Sequence, residues 1–283
     1  MTNTPRPTRS EQREDARAKA RELRDKRVKG DQRKKLLTTV GIAVGIVAVV
    51  AGIIGAVIFL MGTPNEKVDN SKKVPANVTA LGGVIIGKDL LIASDAEVKA
   101  TNHIVIYQDY QCPICQIFES PNSSQIKTWA KSGLAAVEFH PISFLDGSSL
   151  NNYSSRATNA AFCVANSQPE KFFDVNNALY ANQPQENTSG PSDSDIKSTL
   201  SGAGVNLNAE MNSCIDQKRY AKFIENRTSE ALSKPAVTGT AIPSGTPYIL
   251  VNGTLYDFKE YAELTNPALF AQFFESNQKA LID

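Results

Sequence analysis

The chain has 283 residues, 41% of them apolar, which is enough for one or two folded domains and too apolar for a chain without a core. Its net charge of +1 conceals an asymmetry: residues 1–35 carry 13 Lys and Arg against 6 Asp and Glu, so the remainder is acidic. A basic arm beside an acidic body excludes a nucleic-acid footprint spread over a folded domain and gives the arm a partner of its own.

Thr8 and Glu11 have capping-box spacing and would start a polar helix through Arg27. The simpler reading is a solvated arm that sets topology and is drawn to anionic lipid. From Leu36 to Met61 no residue is charged, and only Thr38 and Thr39 are polar. As a helix this run is about 39 Å long, sufficient to cross a hydrocarbon core of about 30 Å with some tilt. Arg33, Lys34 and Lys35 precede it, and Gly62 to Asn65 follow. By the positive-inside rule residues 1–35 are cytoplasmic and the body is outside, a single-pass protein of the cell membrane. A cleaved signal peptide is the alternative, but the run is long and Met61-Gly62-Thr63 offers no small-residue cleavage pattern. Gly41, Gly45, Ala48, Gly52 and Gly55 fall on one stripe of the expected helix, where a second membrane helix could pack.

Residues 62–80 read as a linker with Pro64 and Pro75, and residues 81–283 as the folded body. Val84–Ile86 and Leu90–Ile92 around Gly87-Lys88-Asp89 suggest a hairpin. His103–Tyr107 is β-branched and aromatic and reads as a strand. A helix is expected to open at the cysteines, with Pro113 in its first turn; Pro121 should kink or restart it, with Ser120 as the new cap. Leu134–His140 is the next strand. From about 150 to 235 strand signals vanish: Ala157, Ala160, Ala161 and Val164, then Phe172, Phe173, Val175 and Leu179, recur at helical spacing. Strands return at Tyr248–Val251 and Thr254–Tyr256 around Asn252-Gly253, and Asn266-Pro267 caps a last helix.

The chemistry is concentrated in Cys112-Pro113-Ile114-Cys115, placed after a strand and at a helix start. Unpaired N–H groups and the helix dipole there favour a thiolate at Cys112, the reactive form of sulfur. Cys115, one turn on, can bond it or resolve a mixed disulfide. Half of a zinc site is the rival reading, but the other two ligands would have to come from isolated residues: Cys163, Cys214, His103 and His140 show no paired spacing. Cys163, in an apolar helical run, and Cys214, near an expected helix start, read as a structural bridge, with an electron-relay pair, which would need accessible sulfurs, as the alternative. The two histidines read as ordinary strand residues.

The segment Gln108-Asp109-Tyr110-Gln111-Cys112-Pro113-Ile114-Cys115 with Phe118 resembles the active-site segment of DsbA-like oxidoreductases. Ala160-Ala161-Phe162-Cys163, Phe172-Phe173 and Leu179-Tyr180 resemble that family's helical insert, and Gly245-Thr246-Pro247-Tyr248-Ile249-Leu250-Val251-Asn252-Gly253 resembles its cis-proline strand. The likeness covers about residues 80–283 and, with the anchor, is nearest to membrane-tethered thiol oxidases of Gram-positive bacteria, actinobacteria in particular. It implies an α/β thioredoxin fold with an inserted α-helical domain. It implies an extracytoplasmic enzyme that introduces disulfides into secreted or surface proteins through Cys112 and Cys115, without a cofactor or metal. Pro113, Ile114, Thr246 and cis-Pro247 would contact substrate, and a membrane quinone-linked oxidase of the VKOR or DsbB type would re-oxidise the pair. A reductase or isomerase is the enzymatic alternative, although isomerases of this kind carry a dimerisation domain for which 62–80 is too short. A tethered binding module or chaperone is the non-enzymatic one. Two positions depart from the pattern. Ile106 stands six before the first cysteine, where thioredoxin-like enzymes often hold a buried acid, so proton handling falls to water or another group. Ile114 stands where the strongest oxidants have histidine, which implies a milder oxidant.

Overall fold

The computed structural model describes residues 73–233 and 245–279. The expected arm at 1–35, the membrane helix at 36–61 with its small-residue stripe, and the linker up to residue 72 lie outside the described residues. Among the described residues no helix is long and apolar enough to cross a membrane.

Among the described residues five strands form one sheet in the order β1-β3-β2-β4-β5: β1 Val84–Ile86, β2 Asn102–Gln108, β3 Ala135–Pro141, β4 Tyr248–Val251 and β5 Thr254–Leu255. β2 runs parallel to β3 and antiparallel to β4, and β1 is antiparallel to β3. A parallel neighbour requires a crossover, and α2 (Pro113–Ser132) supplies it between β2 and β3. The expected hairpin after β1 is reduced to one bridge, Ile86 to Ile92. A 3-10 turn over Lys88–Leu90 takes the place of its second strand, and β1 pairs with β3 instead. A short helix, α1 (Asp95–Ala100), follows, capped by Ser94. It was not foreseen.

The restart expected at Pro121 does not occur: α2 runs unbroken for 20 residues. Proline removes one N–H donor from the ladder. One residue on, Asn122 Nδ2 donates to Phe118 O at 2.8 Å and to Leu264 O at 2.9 Å, tying the helix at that point to α8 (Tyr261–Thr265). Gly133 closes α2 with φ 78°, a left-handed cap that suits glycine. The hairpin of β4 and β5 turns at Asn252 (φ 50°) and Gly253 (φ 84°), as that dipeptide predicts. Asn266 caps α9 (Pro267–Ser276) by accepting from Ala268 N–H, and α9 packs on α2 with Trp129 stacked on Phe274 at 4.1 Å.

Among the described residues five α-helices lie between β3 and β4: α3 Tyr153–Ser167, α4 Phe172–Ala181, α5 Asp193–Gly202, α6 Ala209–Asp216 and α7 Ala221–Ser233. α3 is buried on nearly every side, beyond the single stripe its alanines and valine suggested. The helices share a core with the sheet: Phe139 on β3 meets Phe172 and Phe173 of α4 at 5.8 and 5.6 Å between ring centres. Arg156 fastens the loop before α5 to α3, donating to Asp193 at 2.7 Å, Pro191 O at 2.6 Å and Asn151 O at 2.8 Å. Cys163 and Cys214 are bonded to one another and are 0% and 1% exposed. That burial removes the relay reading, which needs reachable sulfurs. Cys214 lies toward the end of α6, not near a helix start.

The opposite face of the sheet holds both histidines of the chain. Register places His103, Glu138 and His140 together: His103 Nε2 lies 3.0 Å and His140 Nε2 2.9 Å from the two oxygens of Glu138. They are the partners of one carboxylate, more than the ordinary strand residues the sequence suggested.

Candidate active site

β2 ends at Gln108, and a turn through Asp109, Tyr110 and Gln111 delivers Cys112 to the N-cap of α2. Cys112 N–H donates to Asp109 O at 3.0 Å, which fixes that turn. Pro113 suits the first helical position, where no N–H acceptor is needed. Cys112 and Cys115 carry free thiols and are buried, Pro113 is exposed and Ile114 half-buried.

The second wall comes from the start of β4. The Thr246–Pro247 peptide bond is cis, and both residues are buried. Cys112 Sγ donates to Thr246 O at 3.2 Å. The Thr246 hydroxyl is buried, finds no nitrogen or oxygen partner among the described residues and faces the sulfurs of both cysteines. The structure therefore brings Cys112, Cys115, Thr246 and Pro247 together from opposite ends of the chain, while Cys163 and Cys214 sit apart in the helical block.

The two sulfurs are not equivalent. The Cys115 thiol donates to the Cys112 sulfur and draws Cys112 down from the ordinary cysteine value to about 6; the Thr246 hydroxyl and the N–H groups of Cys115 and Ile114 act in the same sense, against burial. Burial first, and the hydrogen bond to Cys112 second, push Cys115 far up. The helix start contributes through those N–H groups, but the partner thiol is the larger influence. An arrangement with one stabilised thiolate and one protonated partner supports thiol–disulfide exchange.

The helical block braces this turn with polar contacts that the sequence did not disclose. Gln183 Nε2 donates to Tyr110 O at 3.0 Å and Cys112 O at 2.9 Å, and Gln116 Nε2 to Tyr180 O at 2.7 Å. Two buried acids lie within it. Asp109 accepts from Gln111 N–H, Leu145 N–H and the Ser154 hydroxyl. Glu119 accepts from Asn176 Nδ2 at 2.9 Å. Burial raises each to about 7. Both stand in or near the motif that carries Cys112 and Cys115, but only the fold reveals that they are buried. Further along α2 an open surface depression is lined by Gln116, Ile117, Ser120, Pro121 and Thr265. Among the described residues no group of three or more His, Cys, Asp or Glu side chains is arranged to hold a metal ion.

A family model described as Thioredoxin matches residues 97–267. The chain is similar to the serine/threonine-protein kinase PknE of Mycobacterium tuberculosis, 30% identical over 166 residues, which is 57% of this chain and 28% of the kinase. The chain thus spans little more than a quarter of the length of that curated relative. Among solved structures it is similar to reduced DsbA from Mycobacterium tuberculosis, with 26% identity and TM-score 0.52 over 68% of this chain and 91% of that one. MdbA from Actinomyces oris, described as a thiol-disulfide oxidoreductase, shares the fold with TM-score 0.57 at 17% identity, over 73% of this chain and 93% of that one. The chain belongs to the thioredoxin family, in its DsbA-like, thiol-disulfide oxidoreductase branch.

Proposed function

We propose that this chain is a membrane-tethered oxidase of proteins outside the cytoplasm, acting through Cys112 and Cys115. The observation that carries the reading is the asymmetry of the pair: a Cys112 at the helix start whose thiol is drawn down beside a Cys115 whose thiol is pushed far up, both buried and both against Thr246. A thiolate stabilised in the reduced enzyme makes the disulfide form the stronger oxidant. In the proposed cycle a substrate thiolate attacks Cys112 of the Cys112–Cys115 disulfide, and Cys115 leaves and takes a proton. A second substrate thiolate displaces Cys112, and the substrate departs with its disulfide formed. Thr246 and Pro247 would align the substrate backbone, Pro113 and Ile114 its side chains, and the depression along α2 the residues beyond.

In this reading residues 1–35 stay in the cytoplasm, 36–61 anchor the enzyme and 62–80 link it to the body at 81–283. Unfolded secreted or surface proteins with free thiols are the substrates. A quinone-linked membrane oxidase of VKOR or DsbB type accepts the two electrons.

The test is oxidation of a reduced dithiol peptide by the full chain in detergent, with its redox equilibrium against glutathione. An oxidase makes the peptide disulfide, and Cys112→Ser abolishes turnover. Retention of function by Cys112→Ser would favour a tethered binding module. An equilibrium lying far toward the disulfide would favour a reductase.

A further inference from the structure

Ile106 occupies the place six before Cys112 and is buried, so no acid stands there. A different carboxyl comes near the pair. Asp109 is 0% exposed and has its backbone on both cysteines: its carbonyl accepts from Cys112 N–H at 3.0 Å, and its N–H faces the Cys115 sulfur. Its carboxylate accepts Gln111 N–H at 2.8 Å and the Ser154 hydroxyl on Oδ1, and Leu145 N–H at 3.0 Å on Oδ2. All three donors are uncharged, so a negative charge here is balanced by dipoles alone.

The titratable groups facing Asp109 are Cys112 and Cys115 from the start of α2, Tyr110 beside it, Tyr153 from α3 and Tyr180 from α4. Each is neutral or negative, and none supplies a cation. In the disulfide the Cys112 sulfur carries no charge. In the reduced pair it becomes a thiolate, and a second anion appears near the first where both groups are buried. Two like charges so placed resist joint ionisation. The Ser154 hydroxyl makes the alternative feasible: it donates to a carboxylate and accepts from a carboxylic acid, so a proton can arrive without leaving either N–H unpaired. Burial raises Asp109 to about 7 against the bonds from Ser154, Gln111 and Leu145, and the charge on Cys112 adds a smaller push in the same direction.

We propose that Asp109 takes up a proton when the Cys112–Cys115 disulfide is reduced and releases it on re-oxidation, which makes it the proton reservoir of the redox pair. The inference rests on the Cys112–Cys115 exchange proposed above. The balance is complete. A substrate dithiol gives up two electrons and two protons and becomes a disulfide. The electrons break the Cys112–Cys115 bond, Cys115 takes one proton, Cys112 remains a thiolate and the Asp109 carboxylate takes the other proton.

The test measures the equilibrium of the full chain with glutathione from pH 6.5 to 7.5. Two glutathione thiols supply two protons per disulfide reduced. If the enzyme keeps both, the constant is nearly independent of pH; for each proton not kept, it rises tenfold per pH unit. The wild type should stay nearly flat, and Asp109→Asn should rise about tenfold per unit. Ser154→Ala removes a bond that favours the carboxylate and should move the flat range to higher pH. The reduced-minus-oxidised infrared spectrum should gain a carboxylic-acid carbonyl band that is absent in Asp109→Asn and retained in Glu119→Gln. A tenfold rise in the wild type, an Asp109→Asn profile equal to the wild type, or loss of the band in Glu119→Gln alone would overturn the proposal and leave the exchange reading intact. Failure of the wild type to exchange with glutathione would overturn both.

Discussion

Cys112 and Thr246 stand 134 positions apart, and the thiol of the first donates to the carbonyl oxygen of the second across 3.2 Å. The contact joins the helix that opens with a cysteine to the strand that opens with a cis-proline. It also aims the Thr246 hydroxyl, which has no other polar partner among the described residues, at the sulfurs.

That hydroxyl is worth testing by itself. When Cys112 ionises, the hydroxyl can donate to the thiolate, and a bond to a charged acceptor is stronger than one to a neutral acceptor. Thr246→Val keeps the shape and removes the donor. The Cys112 titration, followed by thiolate absorbance, should move up by about one pH unit. The reduced form loses stabilisation, so the enzyme becomes a weaker oxidant. An unmoved titration would assign the depression of Cys112 to Cys115 and the helix N–H groups alone.

The buried acids bear on stability. Asp109 and Glu119 are each raised to about 7 by burial, from ordinary values near 4. A carboxyl raised on folding binds protons more tightly in the native state. Its contribution is full below the unfolded value and is lost as pH rises through the folded one. Denaturant unfolding of the oxidised chain should therefore show stability falling between about pH 4.5 and 7.5 through Glu119, with Asp109 contributing only over the lower part of that range because the disulfide carries no charge. Glu119→Gln, which keeps an acceptor for Asn176, should flatten that slope by a few kcal/mol across the range. Glu138 acts in the opposite sense and only at the acid end: against burial its two histidines hold it well below the usual carboxylate range, so its contribution is constant above about pH 5.5 and declines below that. A slope unchanged in Glu119→Gln would show that Glu119 is ionised throughout.

The Cys163–Cys214 bridge closes 51 residues within the helical block. The chain-entropy model assigns such a loop about 4 kcal/mol. Because both sulfurs are buried, mild reduction should free Cys112 and Cys115 and leave this bridge intact, as alkylation and mass spectrometry would show. The double variant Cys163→Ala, Cys214→Ala should lose a comparable amount of stability and keep its exchange rate on a dithiol peptide at low temperature. A reduced rate with unchanged stability would revive a redox role for the pair.

What was legible in the sequence follows the range of the forces involved. The start of α2 is local chemistry, because Pro113 and the cysteines define their own helix turn, and so are the Asn252-Gly253 hairpin and the Asn266 cap. The continuity of α2 through Pro121 was not legible, since it is secured by Asn122 reaching Leu264, 142 positions away. The second half of the first hairpin failed for the same reason: β1 finds its partner in β3. Glu138 gathers His103 and His140 only through the parallel register of β2 and β3. Asp109 is one letter of the active-site segment, and its burial depends on Ser154 and Leu145 from the far side of β3.

Ile114 lies between the two cysteines, half-buried at the start of α2. Its backbone N–H helps to lower Cys112, but its side chain offers the thiolate neither a charge nor a donor. Ile114→His keeps the backbone contribution and adds an imidazole at the same helix start. A protonated or donating imidazole stabilises the thiolate, hence the reduced enzyme, and so makes the disulfide more oxidising. The Cys112 titration should move down, and the equilibrium with glutathione should shift toward the dithiol by at least tenfold, the equivalent of about one pH unit in the thiolate. The effect should be largest at slightly acid pH, where the imidazole carries charge. An equilibrium unchanged across pH 5.5 to 7.5 would mean that the redox poise is set by Cys115, Thr246 and the helix N–H groups, with no contribution from side chain 114.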